Sequence, residues 1–84
     1  MREYDSHIER SVFMTNVELI LKEIEQCQLS KTAIAAEWGM SMPTFYSRIS
    51  GKSEFTASEI VAATKTFNLT RQQRDQIFLT ESVN

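Results

Sequence analysis

Apolar side chains at Val17, Ile20, Leu21 and Ile24 recur at the i, i+3, i+4, i+7 spacing that lines one face of an α-helix. Thr15 and Glu18 stand ahead of them as a Thr-x-x-Glu capping box, so helix one is expected to start there and end near Gln28. Upstream, Ile8, Val12 and Phe13 continue an apolar stripe behind a second box, Ser6-x-x-Glu9. Either helix one begins near Ser6 or a separate short helix precedes it.

Helix signals follow one another down the rest of the chain. Ser30 is a cap for a helix over Lys31 to Trp38, and Gly39 stands where a left-handed stop is needed. Ser41 caps a second helix that closes at Gly51, with Pro43 in its first turn, where a missing N–H costs little. Thr56-x-x-Glu59 and Thr70-x-x-Gln73 open two more helices, through Ile60, Val61, Ala63 and Phe67 and through Ile77 and Phe78. With two glycines and one proline in 84 residues, turns are few and no linker is visible. The expected fold is all-α: a compact five-helix domain over residues 15–80, an N-terminal extension or extra helix over 1–14, and a tail at 81–84. Its core is expected to take Val17, Ile20, Leu21 and Ile24 from helix one and Ile34, Ala35, Trp38, Phe45 and Ile49 from the middle pair. Phe55, Ile60, Ala63, Phe67, Leu69 and Phe78 complete it.

The middle pair carries the functional signal. Two short helices crossing steeply at a tight turn need a small residue on the first and bulky apolar ones around it. Ala35 is that residue, with Ile34, Trp38, Met40 and Phe45 around it. From Leu29-Ser30-Lys31-Thr32-Ala33-Ile34-Ala35-Ala36-Glu37-Trp38-Gly39-Met40-Ser41 through Thr44-Phe45 to Ser50-Gly51-Lys52, the sequence resembles the Cro and phage-repressor (Xre-type) family of helix-turn-helix DNA-binding proteins. The resemblance covers about Val17 to Phe78. It implies a repressor-like domain, motif 30–51, whose first, fourth and fifth helices present the second motif helix outward.

It also implies a division of contacts on double-stranded DNA. Ser30, Lys31 and Thr32 would meet one phosphate strand, and Ser50 and Lys52 another. Base edges would face Ser41, Met42, Pro43, Thr44, Tyr46 and Ser47, with Arg48 reaching bases or phosphate. Met42 and Pro43 depart from the Gln, Ser, Arg or Asn common there and cannot make bidentate hydrogen bonds, so readout would lean on thymine methyl groups and on Tyr46 and Ser47. Arg48 stands where the family is often apolar. These departures leave room for a protein-interaction module on the same fold, an anti-repressor or a regulator's partner.

Charge is consistent with a single basic face. The net charge is −2, but residues 30–74 hold six basic against three acidic residues, while residues 1–29 hold three against six. Other chemistry is poorly supplied. One histidine (His7) and one cysteine (Cys27) make neither a metal cluster nor a Cys-His pair; there is no Gly-rich phosphate loop, and Glu23 and Glu25 lie on different helix faces. No cofactor and no enzyme activity are expected.

Apolar runs reach only four residues, so no membrane span is expected, and the N-terminal residues lack a secretory pattern, which points to the cytoplasm. One helix-turn-helix reads few base pairs, so a homodimer on a palindromic operator is expected. Its interface would use apolar residues the core does not need: Ile8, Val12 and Phe13 or, at the other end, Ile77, Leu79 and Val83. The function that follows is a sequence-specific transcriptional regulator of phage or mobile-element type.

Overall fold

Asn16 marks where the chain turns from extended to helical. In the computed structural model, which describes residues 13–81, its side-chain oxygen accepts the Leu19 N–H at 3.1 Å and its own N–H donates to the Ile77 carbonyl at 2.6 Å. The cap is therefore Asn16 and not Thr15. The reason lies upstream: Phe13–Met14 form a two-residue strand, β1, that holds the chain extended against the C-terminal end. An uninterrupted helix from Ser6 is thereby ruled out, and the expected helix upstream of Val12 falls outside the described residues.

The described residues then form five helices: α1 (Val17–Gln26), α2 (Lys31–Glu37), α3 (Met42–Ile49), α4 (Ala57–Phe67) and α5 (Arg71–Phe78). A second two-residue strand, β2 (Thr80–Glu81), pairs antiparallel with β1, with Phe13 opposite Glu81 and Met14 opposite Thr80. This small clasp brings the two ends of the domain together and was not visible in the hydrophobic pattern. α1 packs on α5 and α3, α2 on α3, and α4 on α5.

Caps account for most of the helix boundaries. Ser30 accepts from Ala33 N–H, Ser41 from Thr44 N–H, and both capping boxes, Thr56/Glu59 and Thr70/Gln73, are closed in both directions. The left-handed stops fall at Gly39 (φ 72°) and Gly51 (φ 85°), as expected, and also at Asn68 (φ 54°), which ends α4.

Trp38 occupies the middle of the core. Its ring centroid lies 5.7 Å from Phe45, 5.8 Å from Phe55 and 5.6 Å from Phe67, in tilted or edge-on arrangements. Ile20, Ile24, Ile34, Ala35, Ile49, Ala63, Ile77 and Phe78 close around this cluster. Three positions differ from expectation, among them Val17, which is half-buried at the edge of α1. Leu21, assigned to the core, is 37% exposed, because α1 turns Ile20 and Ile24 inward and leaves Leu21 at the α3 side. Ile77, assigned to a dimer contact, is 2% exposed and belongs to the core beneath α1.

Candidate nucleic-acid interface

The turn between α2 and α3 is set by backbone bonds around Gly39. The Trp38 N–H donates to the Ile34 carbonyl, the Gly39 N–H to Ala36, and the Met40 N–H to Ala35, so the chain leaves α2 through a compact left-handed stop. Ser41 then starts α3, and Pro43 sits in its first turn. Ile34, Ala35, Phe45 and Ile49 are buried between the two helices and the rest of the core, which fixes the opposite face of α3 outward.

That outward face gathers most of the residues expected to contact DNA. Ser30, Lys31, Thr32, Ser41, Pro43, Tyr46, Ser50 and Lys52 are exposed, and Met42, Thr44, Ser47 and Arg48 are half-buried. Lys31 Nζ stands 5.7 Å from the centroid of the Tyr46 ring, close enough for a cation–π contact that joins the start of α2 to the middle of α3. An open groove of about 570 Å³ runs along this surface, with Val17 and Leu21 of α1 on one side and Pro43 and Tyr46 of α3, with its cap Ser50, on the other. Lys31 and Lys52 flank it.

Three of the polar groups bond to other side chains of the domain. Thr44 Oγ1 accepts from Ser41 Oγ at 3.1 Å, so its hydroxyl is partly committed to the cap. Ser47 Oγ and Ser53 Oγ share a hydrogen bond at 2.8 Å. Arg48, expected to reach bases or phosphate, is paired within the domain: Nε and Nη2 donate to the two carboxylate oxygens of Glu59 at 2.8 and 3.3 Å, and Nη1 donates to Ser53 Oγ at 2.7 Å. Both side chains are largely shielded. Hydrogen bonds from Arg48 hold the Glu59 carboxyl below its ordinary pKa, against the opposing effect of burial, and the Thr56 N–H adds to the lowering.

No family model, no curated protein and no solved structure matches the chain. The site is therefore defined by its own geometry. Among the described residues no group of three or more His, Cys, Asp or Glu side chains is placed to hold a metal ion, and no helix is long and apolar enough to cross a membrane.

Sequence reasoning missed four contributors to this surface. Val17 and Leu21 were counted as core because the helical period gives the width of an apolar face but not where its edge falls. Ser53 and Glu59 were missed as partners of α3 because a contact across 5 or 11 residues between separate elements leaves no periodic trace. The one available sign was Arg48 itself, a cation at a position that faces the rest of the domain.

Proposed function

We propose that the chain is a sequence-specific DNA-binding transcriptional regulator of phage or mobile-element type, resembling the Cro and Xre-type repressors, that lays α3 in the major groove of an operator. The observation that carries this is the outward face of α2 and α3, where Lys31 and Lys52 flank exposed Tyr46, Pro43 and Ser50. The lysines neutralise phosphates on either side of the groove, while Tyr46, Ser41 and Thr44 offer hydroxyls to base edges and Pro43, with part of Met42, packs on thymine methyl groups. The protein acts in the cytoplasm, without a cofactor and without catalysis.

Two copies on a palindromic site supply the specificity that one motif lacks. With Ile77 inside the core, exposed Val61 and Leu79, among other exposed apolar residues, support pairing of two copies. Val61 and Leu79 line one groove with Ile60. Ile8, Val12 and Val83 of the expected interface lie outside the described residues.

One observation favours a second reading. Ser47 and Arg48 are committed within the domain, and one side of the surface groove is apolar at Val17 and Leu21, which suits a protein-interaction module, an anti-repressor or a regulator's partner. Selection from a DNA library containing palindromic sites separates the two. Enrichment of a common half-site, lost when Tyr46 and Pro43 are both replaced by alanine, supports DNA reading; a library that emerges unenriched at low salt favours the protein partner.

A further inference from the structure

Arg48 is the only cation on α3, and every donor group it directs at a partner is directed into the molecule. Its guanidinium bridges the two oxygens of Glu59 in α4 and the hydroxyl of Ser53 in the α3–α4 loop. Ser53 in turn shares a hydrogen bond with Ser47, and Glu59 Oε1 also accepts the Thr56 N–H at 2.9 Å. On the other side of the loop, the Lys52 and Ser53 N–H groups both donate to the Ser47 carbonyl, at 3.0 and 3.2 Å. The segment that carries Ser50 and Lys52 off the end of α3 is thus held by backbone bonds on one edge and by a network of charged and hydroxyl groups on the other.

We infer that Arg48 and Glu59 are positioning residues for this interface: paired, they fix the exit of the chain from α3 and so the place where Lys52 meets the phosphate backbone. This rests on the DNA-binding proposal above. A fork-shaped guanidinium suits the task, because it holds two carboxylate oxygens and a hydroxyl at once, which the point charge of lysine does not. Direct phosphate contact by Arg48 would require the pair to break and would leave the Glu59 carboxylate, itself repelled by DNA, without its partner. The pair's shielding also separates it from an ordinary surface ion pair, in which both side chains remain free to move.

Three chains test this against the wild type: Arg48→Met, which keeps the stem and removes the fork; Glu59→Gln, which keeps an acceptor for the Thr56 N–H; and the double variant. The probe is the duplex that the wild-type chain enriches from a random-sequence library, measured over a salt series at a temperature where circular dichroism finds all four chains folded. Each single variant is expected to bind about tenfold more weakly, the scale of one charge-assisted contact, and the double variant no more weakly than Arg48→Met. The slope of log affinity against log salt is expected to stay at the wild-type value. Tighter binding by Glu59→Gln, or a slope that falls by about 0.9 in Arg48→Met, makes Arg48 a phosphate contact and overturns the inference.

Amide exchange gives a readout that needs no DNA. The Lys52 and Ser53 amides are expected to exchange faster in both single variants; unchanged protection overturns the positioning role. A wild type that binds no duplex even at low salt, with those amides still responding, removes the DNA-binding proposal and leaves the loop-holding network standing.

Discussion

The indole N–H of Trp38 donates to Thr66 Oγ1 at 3.0 Å, tying the end of α2 to the last turn of α4, and the same hydroxyl donates to Glu37 Oε1 at 2.9 Å. A ring that is 6% exposed thereby keeps its one polar group satisfied while three phenylalanines pack around it. Thr66→Val removes the acceptor with little change in shape. It is expected to destabilise the fold by about 1–3 kcal/mol, the cost of a buried donor left without a partner, measured as a shift in urea midpoint at constant m-value. A loss as small as that of an exposed threonine substitution would mean that the indole N–H finds another acceptor.

The two glycines ask for different tests. A Cβ on Gly39 would meet nothing within 4 Å, so Gly39→Ala should cost only the left-handed backbone term, about 1–2 kcal/mol. A Cβ on Gly51 would stand 3.2 Å from Val17 Cγ2, where the loop after α3 passes over α1. Gly51→Ala is therefore expected to lower the melting temperature further than Gly39→Ala does; equal shifts would show that Val17 moves aside freely.

Ala35 is 2% exposed on the buried side of α2, and its carbonyl accepts the Met40 N–H of the turn that leads into α3. Ala35→Leu should cost about 1–3 kcal/mol by overpacking. An unchanged melting temperature would place the close crossing elsewhere.

Acidification tests the Arg48–Glu59 pair. A carboxyl whose folded pKa lies below its unfolded value of about 4.3 contributes stability above that value and loses it as pH falls through the folded pKa. Wild type should accordingly exceed Glu59→Gln in stability at neutral pH, and the gap should narrow as pH falls below the unfolded value and close once it has passed the folded pKa, where wild-type Glu59 is protonated as well. Urea titrations of both chains across that range measure it, and a gap that stays constant to low pH would contradict the pairing.

How far the sequence revealed this arrangement depended on the range of each interaction. Ser30, Ser41, Thr56 and Thr70 were legible as caps because capping bonds span only three residues, and Gly39 and Gly51 because a left-handed stop is a property of one residue. Helix one was misplaced by a residue at its start because a contact at the far end of the chain, Asn16 to Ile77, fixes the cap. The assignments of Leu21 and Ile77 failed together. Which edge of the α1 face is covered, and what covers it, is decided by the packing of α5 and α3 on α1, which joins residues far apart in the chain. On the proposed interface, the contact residues were named from the family resemblance, while the inward turn of Ser47 and Arg48 depended on partners, Ser53 and Glu59, that only the folded chain brings near.

The most direct test of the central claim, that the face carrying Lys31, Tyr46 and Lys52 binds DNA, is the salt dependence of duplex binding by the wild-type chain and by Lys31→Ala and Lys52→Ala. If both lysines neutralise phosphates, wild-type affinity should fall linearly in log–log form, and each substitution should reduce the slope by about 0.9 while weakening all duplexes nearly alike. Affinity that does not change with salt, or slopes identical in all three chains, would contradict it.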